Sequence, residues 1–386
     1  MISRRGLFTA AAGVGATAVL ASCGRLSGDQ AAAAPAPAAG PIFFGVSAPL
    51  SGASAEYGKI WRTGFDLALD EINGAGGVNG RKIELLWEDT QSDQKQSVPV
   101  AQKFAGDSRV LAELGDFASP ASMAASPVYE KAHLVQFGFT NSHPDFTKGG
   151  EYMWSTSTTQ QDHAPELAEL AKSLGTKQAV YYINTDWGKT TWKLYEEHAK
   201  KSGFEIVHSE AVQADGSDFR PSLINGRDKG ADVLVFIAYY QAAALLTQQA
   251  KNVGLGQAKI ALPSSAYSPQ YIALGGEATE GAQLIVRFHP GDPRPQVREF
   301  VDKYQKRYGK QPDDFGAGAY DALKILAWAV EHSDGTREGV RKALLEGKDI
   351  PSLLYGPFAF REDRRVTTPK STRLVVKGGA FTLAGA

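Results

Sequence analysis

From residue 42 onward the apolar residues of the chain fall into two alternating periods. Residues 42–46 form a short unbroken apolar run, which predicts a buried strand. Residues 47–58 are mostly Ser, Gly, Ala and Pro and predict a loop of small side chains. From about Tyr57 the spacing changes: Trp61, Phe65, Ala68, Leu69 and Ile72 recur as one apolar face of a helix. Gly74-Ala75-Gly76-Gly77 ends that helix, because glycine enters the left-handed region without a Cβ clash. Asn79-Gly80 predicts a turn, and residues 83–87 a second strand. A strand–helix–strand unit implies a parallel pair joined by a right-handed crossover. Ligands of such sheets bind beyond the carboxyl ends of the strands, where the loop 47–58 lies.

The alternation continues. Helices are expected over 98–105 and 123–132, and strands over 110–114 and 134–139. The polar, aperiodic stretch STSTTQQDH at 155–163 reads as a crossing into a second domain. Strands are then expected at 178–183, 204–208, 232–238, 259–262 and 283–286, with helices over 187–202, 219–229 and 241–253. Ser217-Asp218 is a candidate cap for the helix over 219–229, and Pro221 falls in its first turn, where a missing N–H is harmless. DVLVFIA at 232–238 is as continuously apolar as a strand buried on both faces should be. Pro290 to Pro295 marks a return crossing, followed by helices over 296–308, 316–332 and 336–345 and a closing hairpin-like pair at 356–360 and 372–376. Repeated strand–helix units predict an α/β chain with two mostly parallel sheets.

The N-terminus reads as something other than fold. Arg4-Arg5 precedes the uncharged run 6–21, the pattern of an export signal over residues 1–22. The run is too short and too weakly apolar for a membrane span. Ser3-Arg4-Arg5 suggests the twin-arginine route, although Phe8 stands one place late, so the general secretory route stays open. Leu20-Ala21-Ser22-Cys23 resembles a bacterial lipobox, which implies acylation of Cys23 and a membrane tether outside the cytoplasm. Residues 23–41, rich in Ala and Pro, cannot bury a core and read as the tether itself.

Composition narrows the field. The 386 residues suffice for two domains, and 43% hydrophobic with 22% charged residues is a globular balance. A formal net charge of −1 argues against a nucleic-acid binder. Cys23 is the sole cysteine, which excludes an intrachain disulfide and a cysteine-rich metal site.

The run PLSGASAEYG at 49–58, continued by LALDEINGAGGVNGRKIEL at 67–85, resembles the opening of the type I periplasmic solute-binding proteins of ABC importers, in the leucine/isoleucine/valine-binding branch. Its marks are Ser51-Gly52, Tyr57-Gly58 and the turn from Ile72 to Ile83. GADVLVF, AYDAL and YGPFAF carry the likeness further, to nearly all of residues 42–381. The resemblance implies an α/β fold of two lobes, each a mostly parallel sheet flanked by helices, joined by a three-segment hinge. The lobes would be residues 42–160 with 290–355, and 161–289 with 356–386. It implies a small amphiphilic solute, a branched-chain amino acid or a related carboxylate or amide, held between the lobes by hinge closure. It also implies an ABC permease as membrane partner, a monomer, no cofactor and no metal. A sensor of the same fold serving a signalling partner remains an alternative.

The matching ligand-binding residues are Tyr57, Ser119, Phe139, Thr140, Asn141 and Tyr320 from the first lobe, and Trp187, Tyr240 and Ser265 from the second. Ser119 lies where a strand end opens onto a helix N-terminus, whose free N–H groups suit a carboxylate; helix capping by Ser119 or Ser122 is the plainer role. In the loop 139–146 the register is open, and with Pro144-Asp145 aligned instead, Ser142 takes the hydroxyl role. Ser265 stands where the family's amino-acid binders usually carry an acid for the ligand ammonium. A hydroxyl supplies no counter-charge, so an aromatic or aliphatic carboxylate, or an amide, becomes a serious candidate, and Asp186 or Asp116 could supply the missing charge. Trp187 replaces the family's common Tyr.

An enzyme finds little support in the sequence. Gly74 to Gly80 follows a helix and precedes a strand, the reverse of a dinucleotide fingerprint. No phosphate loop or Gly-x-Ser-x-Gly elbow occurs, and the seven histidines lack metal-ligand spacing.

Overall fold

A computed structural model describes residues 40–385; the expected signal segment, Cys23 and nearly all of the tether lie outside the described residues. The first sheet is built from β1 (Ile42–Ala48), β2 (Ile83–Asp89), β3 (Val110–Gly115), β4 (Val135–Gly138) and β5 (Met153–Ser155), in the order β2-β1-β3-β4-β5. All its pairings are parallel. The intervening helices are α1 (Ala55–Gly74), α2 (Gln94–Gly106) and α3 (Ser119–Lys131). Burial follows the pattern of the chain: every residue of β3 is buried, whereas the edge strand β2 buries only Ile83 fully.

The second sheet comprises β6 (Lys177–Ile183), β7 (Glu205–Val212), β8 (Val233–Ile237), β9 (Lys259–Leu262), β10 (Gln283–Val286), β11 (Thr372–Lys377) and β12 (Ala380–Leu383). Its order is β12-β11-β10-β9-β8-β6-β7, parallel from β7 to β10 and antiparallel at β11 and β12. The apolar run predicted as a fully buried strand is β8, buried at every position between β6 and β9. Around this sheet lie α4 (Gln160–Leu174), α5 (Asp186–Ser202), α6 (Arg220–Asp228), α7 (Tyr240–Ala250) and α8 (Pro269–Gly275). The chain then returns to the first sheet. Of α9 (Pro295–Tyr308), α10 (Asp314–Glu331) and α11 (Arg337–Glu346), α10 packs along α1 and α11 against β3 and β4. The expected α/β architecture of two mostly parallel sheets is borne out.

Three local expectations fail. Residues 356–360 form no strand; Phe358 makes an isolated antiparallel bridge to Ile350, and β11 pairs instead with β10 and β12. Asp218 is not the N-cap of α6, which is Phe219, although its carboxylate accepts from the backbone N–H of Arg220 at 3.1 Å and pairs with that residue's guanidinium. Helix α4 begins inside the stretch read as aperiodic: its inward face is largely alanine, Ala164, Ala168 and Ala171 beside Leu167 and Leu170, which gives a weak hydrophobic signal.

Candidate functional site

The loops at the carboxyl ends of the two sheets face each other across a cleft of about 670 Å³, counted out to its mouth. Each sheet sends a helix N-terminus to the cleft with an aromatic residue followed by glycine. Tyr57-Gly58 opens α1, and a Cβ on Gly58 would lie 2.2 Å from the carbonyl oxygen of Pro49. Trp187-Gly188 opens α5, and a Cβ on Gly188 would lie 2.0 Å from that of Ile183. Both helices therefore begin against the backbone of the preceding loop or strand, and the aromatic ring is turned inward by that approach.

The walls are aromatic. Trp187 stacks on Tyr239 with centroids 5.3 Å apart and planes 27° apart. Phe117 meets Tyr239 edge-on at 5.3 Å, and Phe315 lies 5.7 Å from Phe117. Behind this lining, Tyr57 stacks on Phe117 at 3.7 Å. Its hydroxyl donates to the carbonyl of Ser265 at 2.5 Å and accepts from the backbone N–H of Tyr240 at 3.2 Å. The Tyr240 hydroxyl donates to the carbonyl of Ala53, also on the opposite sheet's side. Trp187 Nε1 donates to Ser142 Oγ at 2.9 Å, and His143 Nε2 lies 3.1 Å from Thr190 Oγ1. These bonds bridge the cleft, so the structure is a closed form.

The hydroxyls of the lining divide by what they still offer. Thr140 Oγ1 donates to the carbonyl of Phe117 at 3.0 Å, and Ser265 Oγ donates to that of Ala238 at 2.8 Å. Both hydrogens are engaged, so these two present acceptors to the cleft. Ser119 Oγ accepts from the His143 N–H, and Ser142 Oγ accepts from Trp187, which leaves both free to donate. Ser119 is not the cap of α3: the N-cap is Ala118, and Ser122 Oγ closes the turn by accepting from the Asp116 N–H at 2.7 Å.

Two charged side chains line the cleft among the described residues, Arg287 and Asp314, joined by a 2.9 Å bond from Nε to Oδ1. They are 7% and 5% exposed. His163 also lines it, and burial holds its imidazole below the usual histidine range, hence neutral near pH 7. Asp116 sits beneath the floor, hydrogen-bonded by Ser92 and Ser97; burial pushes its carboxyl up to about 6.

A profile of the periplasmic binding protein family matches residues 41–379. The chain belongs to this family. The Leu/Ile/Val-binding protein homolog 7 of Brucella abortus (strain 2308) is 29% identical over 343 residues, covering 83% of this chain and 84% of its own. The branched-chain amino acid binding protein LivJ of Streptococcus pneumoniae, solved in complex with isoleucine, superposes with a TM-score of 0.81 at 25% identity over 88% of this chain and 97% of its own. The leucine-binding protein LivK of Thermotoga maritima superposes with a TM-score of 0.83 at 23% identity over 89% and 98%, a likeness of fold.

In this binding protein, Ser119, Thr140, Trp187 and Ser265 line the cleft, as does Ser142 of the alternative register. Five other positions do not. Tyr57 and Tyr240 lie behind the lining and bridge the lobes, as described. Phe139 is in the core, 4.4 Å from Trp61 and 5.6 Å from Phe65, because a strand end this apolar packs inward. Asn141 is buried under the loop, where Nδ2 donates to the carbonyl of Asp116 and to Ser122 Oγ. Tyr320 faces α1 and donates to Glu71 at 2.6 Å. Sequence reasoning did not single out Phe117, Tyr239, Phe315, Arg287 or Asp314. The Asp313-Asp314 pair ahead of an apolar helix was a visible signal; Asp313 caps α10, accepting from Phe315 and Gly316.

Proposed function

We propose that this chain is the extracytoplasmic solute-binding protein of an ABC importer, a binder and not a catalyst. It takes a small amphiphilic carboxylate between its lobes and hands it to a membrane permease. The observation that carries this reading is the closed cleft itself: four aromatic rings around hydroxyls of both donor and acceptor character, contributed by both sheets. The rings suit a branched or aromatic body, and Ser119 and Ser142 suit a carboxylate head. Leu/Ile/Val-binding relatives support the transport role. An α-amino acid would place its ammonium against the neutral acceptors Thr140 and Ser265, because Asp314 is engaged by Arg287 and Asp186 is 59% exposed beside His143.

The compact unit, residues 38–386, tests this in a thermal-shift screen of amino acids, aliphatic and aromatic carboxylates and amides. A solute at a hundred times its Kd stabilises by about 2.7 kcal/mol, a rise of roughly 5 °C in Tm. A screen in which none of these solutes moves Tm would overturn the solute-binding reading.

The sole cysteine supports a tether. Export followed by acylation of Cys23 would hold the protein at the membrane beside its permease. Cys23→Ala is expected to move the protein from the membrane to the soluble fraction on cell fractionation; retention in the membrane fraction would exclude acylation as the anchor.

A further inference from the structure

Arg287 follows β10 at the second crossing between the lobes and is buried with all but one of its nitrogens engaged. Nε pairs with Asp314 at 2.9 Å. Nη1 donates to the carbonyls of Phe139 at 3.2 Å and Thr156 at 3.1 Å, and lies 3.4 Å from the Tyr355 hydroxyl. Thr156 belongs to the first crossing and Tyr355 precedes the third, so one guanidinium joins all three hinge segments to the first lobe. Nη2 makes no hydrogen bond among the described residues. It has room because position 318 is glycine: a Cβ there would stand 2.6 Å from it.

We propose that Arg287 is the specificity-determining residue of the cleft, its free Nη2 taking one oxygen of the solute's carboxylate while its other nitrogens hold the hinge. This rests on the solute-binding reading above and names the group that chooses the ligand's head. The chemistry favours an anion there. Arg287 is the cation of the lining, His163 adds no charge near pH 7, and Asp314 already balances the guanidinium, so the arginine is stable without a ligand. A carboxylate oxygen at Nη2 forms a charge-assisted bond in a site shielded from water. An amide of the same shape offers that nitrogen only a weaker, neutral acceptor. Because the same side chain binds Phe139, Thr156 and Tyr355, occupying Nη2 also fixes the hinge in its closed arrangement.

Isothermal titration of the purified protein with acid–amide pairs tests this: 4-methylpentanoate with its amide, benzoate with benzamide, leucine with leucinamide. The wild type is expected to bind the acid of at least one pair about tenfold or more tighter than its amide. In Arg287→Gln with Asp314→Asn, which removes both charges together, the preference is expected to fall within about twofold while the circular-dichroism melt stays cooperative. A structural role alone would weaken acid and amide alike and keep their ratio, and that result would overturn the proposal. Should the double variant not fold, the wild type still decides: equal affinity for acid and amide of every pair that binds sinks the proposal. If uncharged solutes bind and no carboxylate does, the solute-binding reading stands and the role of Arg287 falls. If nothing in the wider screen binds, both fall.

Discussion

Replacing Trp187 by alanine is expected to lower affinity for the bound solute about thirtyfold or more, a loss of about 2 kcal/mol of binding free energy. Two effects converge on this ring. It is one wall of the cleft, stacked on Tyr239, so its removal exposes the second ring and the solute's apolar body to water. Its Nε1 donates across the cleft to Ser142 Oγ, so the closed form loses a bond between lobes. Trp187→Phe separates these contributions. It keeps most of the wall and loses only the bond to Ser142, and about a threefold to tenfold loss is expected. Adding Ser119→Ala to Trp187→Ala removes a free donor as well and should abolish measurable binding. The ring is only 5% exposed, so the alanine variant will also melt earlier. Titration below the melt, with circular dichroism as the check on fold, keeps the two losses apart. Unchanged affinity in the alanine variant would remove Trp187 from the site.

What the sequence disclosed of this cleft depends on how each residue reaches it. Trp187 and Ser119 are legible because each stands at a strand end entering a helix, a place fixed by local pattern. Tyr239 and Tyr240 show the limit. Tyr239 is the extended N-cap of α7, with φ −78° and ψ 162°, and lines the cleft, while Tyr240 is the first helical residue and points behind it. A shift of one residue in the helix start exchanges their roles, and helix starts are the least certain feature of a sequence pattern. Tyr320 fails for another reason. Helix α10 is buried on nearly every side, so its sequence carries no polar face from which to tell the cleft from the contact with α1. Arg287 and Asp314 are separated by an entire helix and two loops, and only the return of the chain to the first sheet brings them together. The fold was legible because short continuous apolar runs alternate with helical periods of 3.6 over many residues; the charged pair was not, because it is one contact between distant segments.

Arg337→Ala is expected to destabilise the protein by about 3 kcal/mol, lowering Tm by roughly 4–6 °C, while leaving solute affinity within about threefold. Arg337 opens α11, and its guanidinium donates to five backbone carbonyls: Phe104, Ala105, Asp107, Val110 and Ala132. Phe104 and Ala105 are in the last turn of α2, Asp107 is its C-cap and Ala132 is the C-cap of α3. Four of these carbonyls lie at helix ends, at the negative pole of each helix dipole, and those of Phe104 and Asp107 also accept from the N–H groups of Asp107 and Val110. One cation therefore closes two helix ends and the start of β3. Among the described residues no carboxylate bonds to Arg337, and desolvation lowers its pKa from the usual arginine value, so its stabilisation comes from carbonyl bonding and not from an ion pair. Alanine removes a donor from all five carbonyls, of which those of Phe104 and Asp107 keep another backbone partner in the turn. Lysine keeps the charge, but a single ammonium has three donors and cannot span the same arc, so Arg337→Lys should recover less than half of the loss. Binding should be spared because Val110 begins β3, whereas the cleft lies beyond Gly115 at its other end. Calorimetric melting gives the first quantity and titration the second. A Tm within about 1 °C of wild type would show that water replaces the guanidinium at these helix ends, and a large loss of affinity would mean that the far edge of the first sheet sets the geometry of its loops.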